Sequence, residues 1–240
     1  LHQALRVTVA YVVIGVPLQL AAALGLALLL DRGVRGLPLY RSIFYLPSLL
    51  GGSVAIAILW RLVFGARGLV NQVLELPGIS AVADLLGIEP VAWVAHPDHA
   101  LGTLIILHVW TFGSPMVIFL AGLRQIPAMY YEAASVDGAG WFAQFFRITL
   151  PLLTPIIFFN LVLQVINSFQ AFTQAFIVSG GTGGPADSTL FYTLYLYQRG
   201  FKFFDMGYAS AMAWLLLLII AGFTAVNFIA ARYWVFYGDD

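Results

Sequence analysis

The sequence contains no cysteine and only one lysine, Lys202. The first absence excludes disulfides, thiolate nucleophiles and cysteine-ligated metals. The second excludes a nucleotide-binding P-loop, whose glycine-rich turn must end in Gly-Lys-Ser/Thr to hold phosphates; Lys202 instead follows Phe201. Charge of either sign is scarce: 9% of the 240 residues are charged, against about 25% in a soluble domain, while 61% are hydrophobic. Water is therefore not the main solvent of this chain. The 11 basic and 11 acidic residues cancel, so there is no basic face to neutralise the phosphates that dominate nucleic-acid affinity, and nucleic acid is not expected as a partner. The N-terminus lacks the basic region and cleavage site of a signal peptide, and none is read there.

Long apolar runs are abundant. A bilayer core about 30 Å thick needs roughly 20 apolar residues at 1.5 Å each, because every backbone polar group must be satisfied within the segment. Five stretches qualify as spans: residues 7–30, 43–60, 101–123, 150–178 and 206–231. The expected fold is all-α, a polytopic transmembrane helical bundle of about five spans forming a single domain over residues 1–240. The connection at 31–42 is short and holds Arg32, Arg35 and Arg41; that at 65–100 is acidic, with an amphipathic stretch at 79–86; that at 179–205 opens with a glycine- and proline-rich turn. Five spans place the two ends on opposite sides. With the 31–42 and 125–149 loops in the cytoplasm, that side holds six basic residues against five, and the three arginines of the short first loop favour this orientation.

Chemistry-bearing residues within the spans are few. His96, Asp98 and His99 stand close in sequence, but Pro97 interrupts any helix that would aim them, so a polar loop is expected and no metal site. No expected span carries Asp, Glu, Lys or Arg; His108 is the single acid–base group, which argues against an ion-coupled pump or a membrane enzyme. In the fourth span Asn160, Gln164, Asn167 and Ser168 fall at i, i+4, i+7 and i+8, with Gln174 at i+14, forming one polar stripe among leucine, valine and isoleucine. Such a stripe faces protein or a water-filled path. It is either interhelical glue or a route for a neutral, hydroxyl-rich solute, with Phe158, Phe159, Phe169 and Phe172 as apolar surface for a sugar ring.

The 125–149 segment suits a short helix at 129–136, a turn at Asp137-Gly138, and a second helix at 141–146 leading into the fourth span. By itself it reads either as a projecting knob or as an interfacial amphipathic hairpin, since Trp141, Phe142, Phe145 and Phe146 suit the headgroup region. The run Glu132-Ala133-Ala134, Asp137-Gly138-Ala139 and Ile148-Thr149-Leu150-Pro151 resembles the EAA loop of the membrane subunits of binding-protein-dependent importers of the ATP-binding-cassette class. Further similarity to the sugar-importer branch, which includes maltose and glycerol-phosphate permeases, lies in Arg41-Ser-Ile-Phe-Tyr-Leu-Pro47, Gly68-Leu-Val-Asn71, Thr182-Gly-Gly-Pro185 and Phe204-Asp-Met-Gly-Tyr-Ala-Ser-Ala211.

The resemblance implies that the hairpin is a coupling helix seated in a cytoplasmic ATPase, with Glu132, Ala133, Ala134, Asp137, Gly138 and Ala139 as contact residues. It also implies a substrate path near His108, Thr111, Ser114, Gln164, Asn167 and Ser168, to which the stripe adds Asn160; Ala171 stands where the maltose permease has a polar residue. Implied partners are a second permease subunit, two ATPase subunits that bind ATP and magnesium, an extracytoplasmic solute-binding protein docking on the 65–100 and 179–205 loops, and the lipid bilayer. No cofactor and no catalytic residue are expected in this chain. The implied location is a bacterial or archaeal cytoplasmic membrane, with one further span ahead of residue 1. A non-sugar cargo such as glycerol phosphate, and a carrier or channel working alone, are the competing readings.

Overall fold

The computed structural model describes residues 1–31, 36–80, 85 and 89–236. Arg32, Arg35, Asp84 and most of the expected amphipathic stretch at 79–86 lie outside the described residues. The described fold is helical, in keeping with a sequence whose long apolar runs must close their backbone hydrogen bonds internally. In chain order the α-helices are α1 (His2–Asp31), α2 (Leu37–Leu50), α3 (Val54–Val63), α4 (Leu69–Leu74), α5 (Pro97–Trp110), α6 (Gly113–Leu123), α7 (Ala128–Val136), α8 (Trp141–Gln144), α9 (Leu150–Phe169), α10 (Thr173–Val178), α11 (Tyr192–Tyr197) and α12 (Met206–Trp234). Single π-turns at Phe145–Thr149 and Gln198–Lys202 follow α8 and α11.

Three helical stretches are long and apolar enough to cross a bilayer as they stand: His2–Asp31, Trp141–Val178 and Met206–Trp234. Two more spans result when α2 with α3, bent by 95°, and α5 with α6, bent by 41°, are each counted as one. The expected span at 43–60, which contains Pro47 and Gly51-Gly52, is built from two helices and not one. The run breaks at Gly51-Gly52-Ser53, where Ser53 takes an extended conformation and its hydroxyl accepts the Ile56 N–H at 3.2 Å, capping α3. Hydropathy is blind to this, because glycine and a capping serine interrupt a helix without adding charge.

The fourth stretch also departs from expectation at its end. Helix α9 stops at Phe169, and the Ala171 carbonyl, freed by the break, accepts the Thr193 hydroxyl. Within α9, Pro155 has no N–H to offer the Pro151 carbonyl, and the Thr154 hydroxyl donates to it instead at 2.6 Å. The proline is thus carried without an orphaned carbonyl.

Contacts gather the chain into two compact units. The first comprises Leu1–Gly15, Leu50–His108 and Ser168–Leu217. Its core holds Leu104, Phe191, Tyr192 and Leu194, with the Tyr11 and Phe191 rings 4.6 Å apart. The expected 179–205 loop contains helix α11, which sequence reading missed behind the turn signals. Tyr192 anchors it, with its N–H on the Thr8 hydroxyl at 2.8 Å and its own hydroxyl on the Met212 carbonyl at 2.9 Å. Asn71, in the Gly68-Leu-Val-Asn71 motif, donates to the Ala66 and Val91 carbonyls at 2.9 and 2.8 Å and accepts from the Trp93 indole at 2.7 Å, tying the acidic connection down.

The second unit comprises Val16–Leu49, Val109–Asn167 and Leu218–Asp240. Phe119, Leu120 and Leu153 are fully buried in it. A Cβ on Gly122 would lie 2.1 Å from the Ile156 Cδ1, so the glycine sets how closely α6 approaches α9. The Phe158 ring packs on Phe228 at 5.0 Å, and Arg124 pairs with Asp31 at 3.6 Å, joining the ends of α1 and α6 at one membrane face.

Candidate coupling hairpin and polar face

The hairpin begins at Pro127, whose fixed φ and extended ψ start α7. Helix α7 ends at Asp137, and Gly138 turns the chain with φ +78°, a left-handed conformation that costs glycine least. The Ala139 N–H then reaches the Ala134 carbonyl at 2.9 Å and the Gly138 N–H the Ser135 carbonyl at 3.1 Å. Gln144 closes the loop from the other side: its amide donates to the Ser135 hydroxyl and to the Ala139 carbonyl, both at 3.0 Å. At the base, the Tyr131 and Thr149 hydroxyls lie 2.9 Å apart. The hairpin is therefore a rigid unit held by its own polar groups.

Its outer surface mixes two chemistries. Glu132, Ala133, Asp137 and Gly138 are exposed, and Ala134 and Ala139 are half-buried, so the expected coupling residues share one protruding segment. Beside them stand exposed Met129, Tyr130, Phe142 and Phe146, and Val136 is 88% exposed. Trp141 stacks on Phe145 with ring centroids 5.7 Å apart. A surface this apolar, rimmed by two carboxylates, is unfavourable in water and suits a protein cleft.

The polar stripe is only partly what its spacing suggests. Asn160, Gln164 and Ser168 follow one another at four-residue steps on α9 and all are buried. Asn167 is exposed and is not buried with them, a correction to the single-stripe reading: seven residues place it only about 20° around the helix from Asn160, so helical phase does not separate it and what packs around each position does. Gln174 is out of phase too, since the break after Phe169 ends the helical register; its amide donates to the Gly51 carbonyl at 3.1 Å and braces the turn between α2 and α3.

Ser168 and His108 are brought together, with Oγ and Nε2 3.2 Å apart, and the His108 ring lies 5.2 Å from Tyr11. Gly15 makes room for that ring, as a Cβ there would stand 3.0 Å from the His108 Cδ2. Thr111 and Ser114 meet through a residue that sequence reading missed, Ser48, whose hydroxyl donates to the Thr111 carbonyl at 3.0 Å and accepts the Ser114 N–H at 2.7 Å. Gln19, also missed, donates to the Thr111 carbonyl and hydroxyl at 3.2 and 3.0 Å. As the lone amide of the first apolar run, Gln19 was visible in principle; Ser48 carried no signal.

Asn160 stands apart. Its side chain has no exposure, and among the described residues neither its oxygen nor its nitrogen has a hydrogen-bond partner. The oxygen of Gln19 is likewise buried and unpartnered. Among the described residues no group of three or more His, Asp or Glu side chains gathers; His96 Nδ1 lies 3.8 Å from Asp98, which with His99 sits in the exposed first turn of α5 and not in the polar loop expected, because Pro97 starts that helix instead of interrupting it.

Residues 35–234 match the family described as the inner membrane component of binding-protein-dependent transport systems. The chain is 54% identical over 235 residues, 98% of its length and 74% of the relative's, to a probable ABC transporter permease, YesP, of Bacillus subtilis strain 168. It is 35% identical to the lactose transport permease LacF of Rhizobium radiobacter, covering 96% of this chain and 76% of that one. The trehalose/maltose transport permease MalF of Thermococcus litoralis is 31% identical over 95% of this chain and 73% of its own. In fold, the chain is similar to the crystal structure of a bacterial alginate ABC transporter in complex with an alginate pentasaccharide-bound periplasmic protein, with a TM-score of 0.79, 21% identity, and coverage of 96% of this chain and 78% of that one. The family match over most of the chain, on a helical fold with stretches long and apolar enough to span a membrane, means that this protein belongs to the inner membrane components of binding-protein-dependent transport systems, as an ABC importer permease.

Proposed function

We propose that this chain forms, with a second permease, the translocation path for a sugar or oligosaccharide, and that residues 125–149 transmit the movement of a cytoplasmic ATPase to it. The observation that carries the coupling role is the hairpin itself: closed by its own hydrogen bonds, it exposes Glu132, Asp137, Met129 and Val136 together. A self-braced knob can move as one body when a cleft grips it, so closure of two ATPase subunits on ATP and magnesium would rock the spans and switch the side on which the solute site opens. An extracytoplasmic solute-binding protein would deliver the cargo on the opposite face of a bacterial or archaeal cytoplasmic membrane.

The sugar assignment is supported by relatives named for lactose, trehalose/maltose and arabinooligosaccharides. Amides and hydroxyls without charge also suit a neutral polyol. Gln164, Ser168, His108 and Asn160 are the proposed path residues, with Asn167 reaching cargo from its exposed position. Thr111 and Ser114 support the path indirectly by holding the α5/α6 break through Ser48 and Gln19.

The test is ATPase turnover by the complex reconstituted with its receptor. Glu132→Ala and Gly138→Val are expected to abolish most receptor-stimulated turnover while leaving assembly of the complex intact; full stimulated turnover in both removes the coupling role. Uptake against a panel of sugars, repeated with Gln164→Ala and Ser168→Ala, reads the path separately, and unchanged uptake in both reduces these residues to packing.

A further inference from the structure

Within the second unit a groove of about 340 Å³ opens between α2 and α6, lined by Arg41, Ser42, Tyr45, Ser114, Val117 and Ile118. Close helix approach builds it. A Cβ on Gly113 would stand 2.4 Å from the Phe44 carbonyl oxygen, and Ser48 bridges the two helices through the Thr111 carbonyl and the Ser114 N–H. The groove's walls are therefore fixed, not a gap between loose elements.

The groove is graded in polarity along the membrane normal. Arg124 and Asp31 mark one membrane face by their ion pair, and α2 starts six residues after Asp31, so Arg41 enters the groove from that face. Val117 and Ile118 precede Arg124 by seven and six residues, which sets them about 9–11 Å deeper at 1.5 Å per residue, and Ser114 lies about 15 Å deep. The cationic end is thus near the headgroups, and the wall below it, within the hydrocarbon, is apolar at Val117 and Ile118.

Among the described residues Arg41 has no counter-charge. Its Nε is buried without a hydrogen-bond partner, no acidic residue lines the groove, and Asp31 is engaged by Arg124. A guanidinium with a buried idle donor is costly, and an oxyanion is the group that its planar fork fits best. The Ser42 hydroxyl is already donated to the Pro38 carbonyl at 3.0 Å, which leaves Arg41 as the donor at the polar end. Outward-facing Leu39, Ile43, Leu46 and Leu49 on the same helix are exposed, as a lipid-facing surface requires.

We propose that this groove is a binding site for an anionic phospholipid, with the phosphate on Arg41 and an acyl chain laid along Val117 and Ile118 towards Tyr45 and Ser114. A ligand with a charged head and an apolar tail matches both ends at once. A free oxyanion would satisfy only Arg41, and a neutral solute would accept its hydrogen bond without supplying a counter-charge. The site concerns the membrane-embedded permease alone and is independent of which cargo is carried.

The experiment is native mass spectrometry of the purified, delipidated complex titrated with phosphatidylglycerol, phosphatidylcholine or inorganic phosphate, with thermal unfolding measured alongside. Phosphatidylglycerol is expected to be retained and to raise the unfolding temperature. Arg41→Gln is expected to weaken retention about fivefold, the contribution of one basic residue to anionic-lipid attraction. Arg41→Lys should restore part of it, and Ile118→Trp, which fills the apolar end and keeps the charge, should also lose it. The Lys and Trp variants decide the matter should Arg41→Gln fail to assemble. Equal retention of phosphatidylcholine, unaltered binding in Arg41→Gln or Ile118→Trp, or equal stabilisation by inorganic phosphate overturns the lipid assignment. So does disulfide capture of Ile118→Cys by a cysteine placed in the second permease, which would give the groove to that subunit.

Discussion

Asn160 puts an amide where the protein offers it no partner. Leaving a buried polar group unsatisfied costs about 1–3 kcal/mol, and its replacement by an apolar side chain of like size removes that cost. Asn160→Leu is therefore expected to stabilise the purified protein by about 1–3 kcal/mol in denaturant or thermal unfolding. If the amide serves the solute path, the same variant transports less despite being more stable, because the group is held ready for cargo, water or a second conformation. Reduced stability would mean instead that Asn160 is already partnered. His108 and Ser168 differ from it in satisfying each other, so their removal should lower stability as well as uptake.

At the scale of elements, small residues decide which helices touch. Gly113→Ala would drive a methyl into the Phe44 carbonyl and the Ser48 hydroxyl, at 2.4 and 2.6 Å, and is expected to cost about 1–3 kcal/mol as overpacking. Gly25→Ala on α1 meets nothing within 4 Å and should be neutral or slightly stabilising, since alanine is the better helix former. Comparing the two in thermal unfolding separates close approach from glycine content. The same scale shows how much could be read from the chain. Helices α1, α9 and α12 and the 128–149 hairpin were legible, because long apolar periods and an Asp-Gly turn are local signals. The α2/α3 bend was not, since Gly51 and Gly52 leave hydropathy untouched. Helix α11 was hidden for another reason: Tyr192 owes its place to Thr8 and Met212, residues far away in sequence. On the polar face, the four-residue steps from Asn160 to Ser168 were readable, whereas the roles of Gln19 and Ser48 follow from a helix break that no composition discloses.

At the scale of the whole molecule, the absence of cysteine makes topology directly measurable. Any single cysteine introduced is unique, and with one span between them Val136→Cys and Phe204→Cys, both at highly exposed positions, should face opposite sides. A membrane-impermeant maleimide applied to intact cells is expected to label Phe204→Cys only, and to label Val136→Cys once the membrane is opened. Labelling of Val136→Cys in intact cells would place the hairpin outside and remove the ATPase from its reach.

Sequence alone determined the solvent of this protein, its helical class and the helical hairpin that turns at Asp137-Gly138. Those properties are sums over neighbouring residues: transfer free energy, backbone self-satisfaction and turn preference act within a window of one segment. Tertiary structure alone decided that Asn167 leaves the buried line, that Asn160 has no partner, that Ser48 and Gln19 brace the α5/α6 break, and that Arg41 faces an apolar-walled groove. Each depends on which distant groups arrive within about 3 Å, the reach of a hydrogen bond, and a linear pattern does not contain that distance.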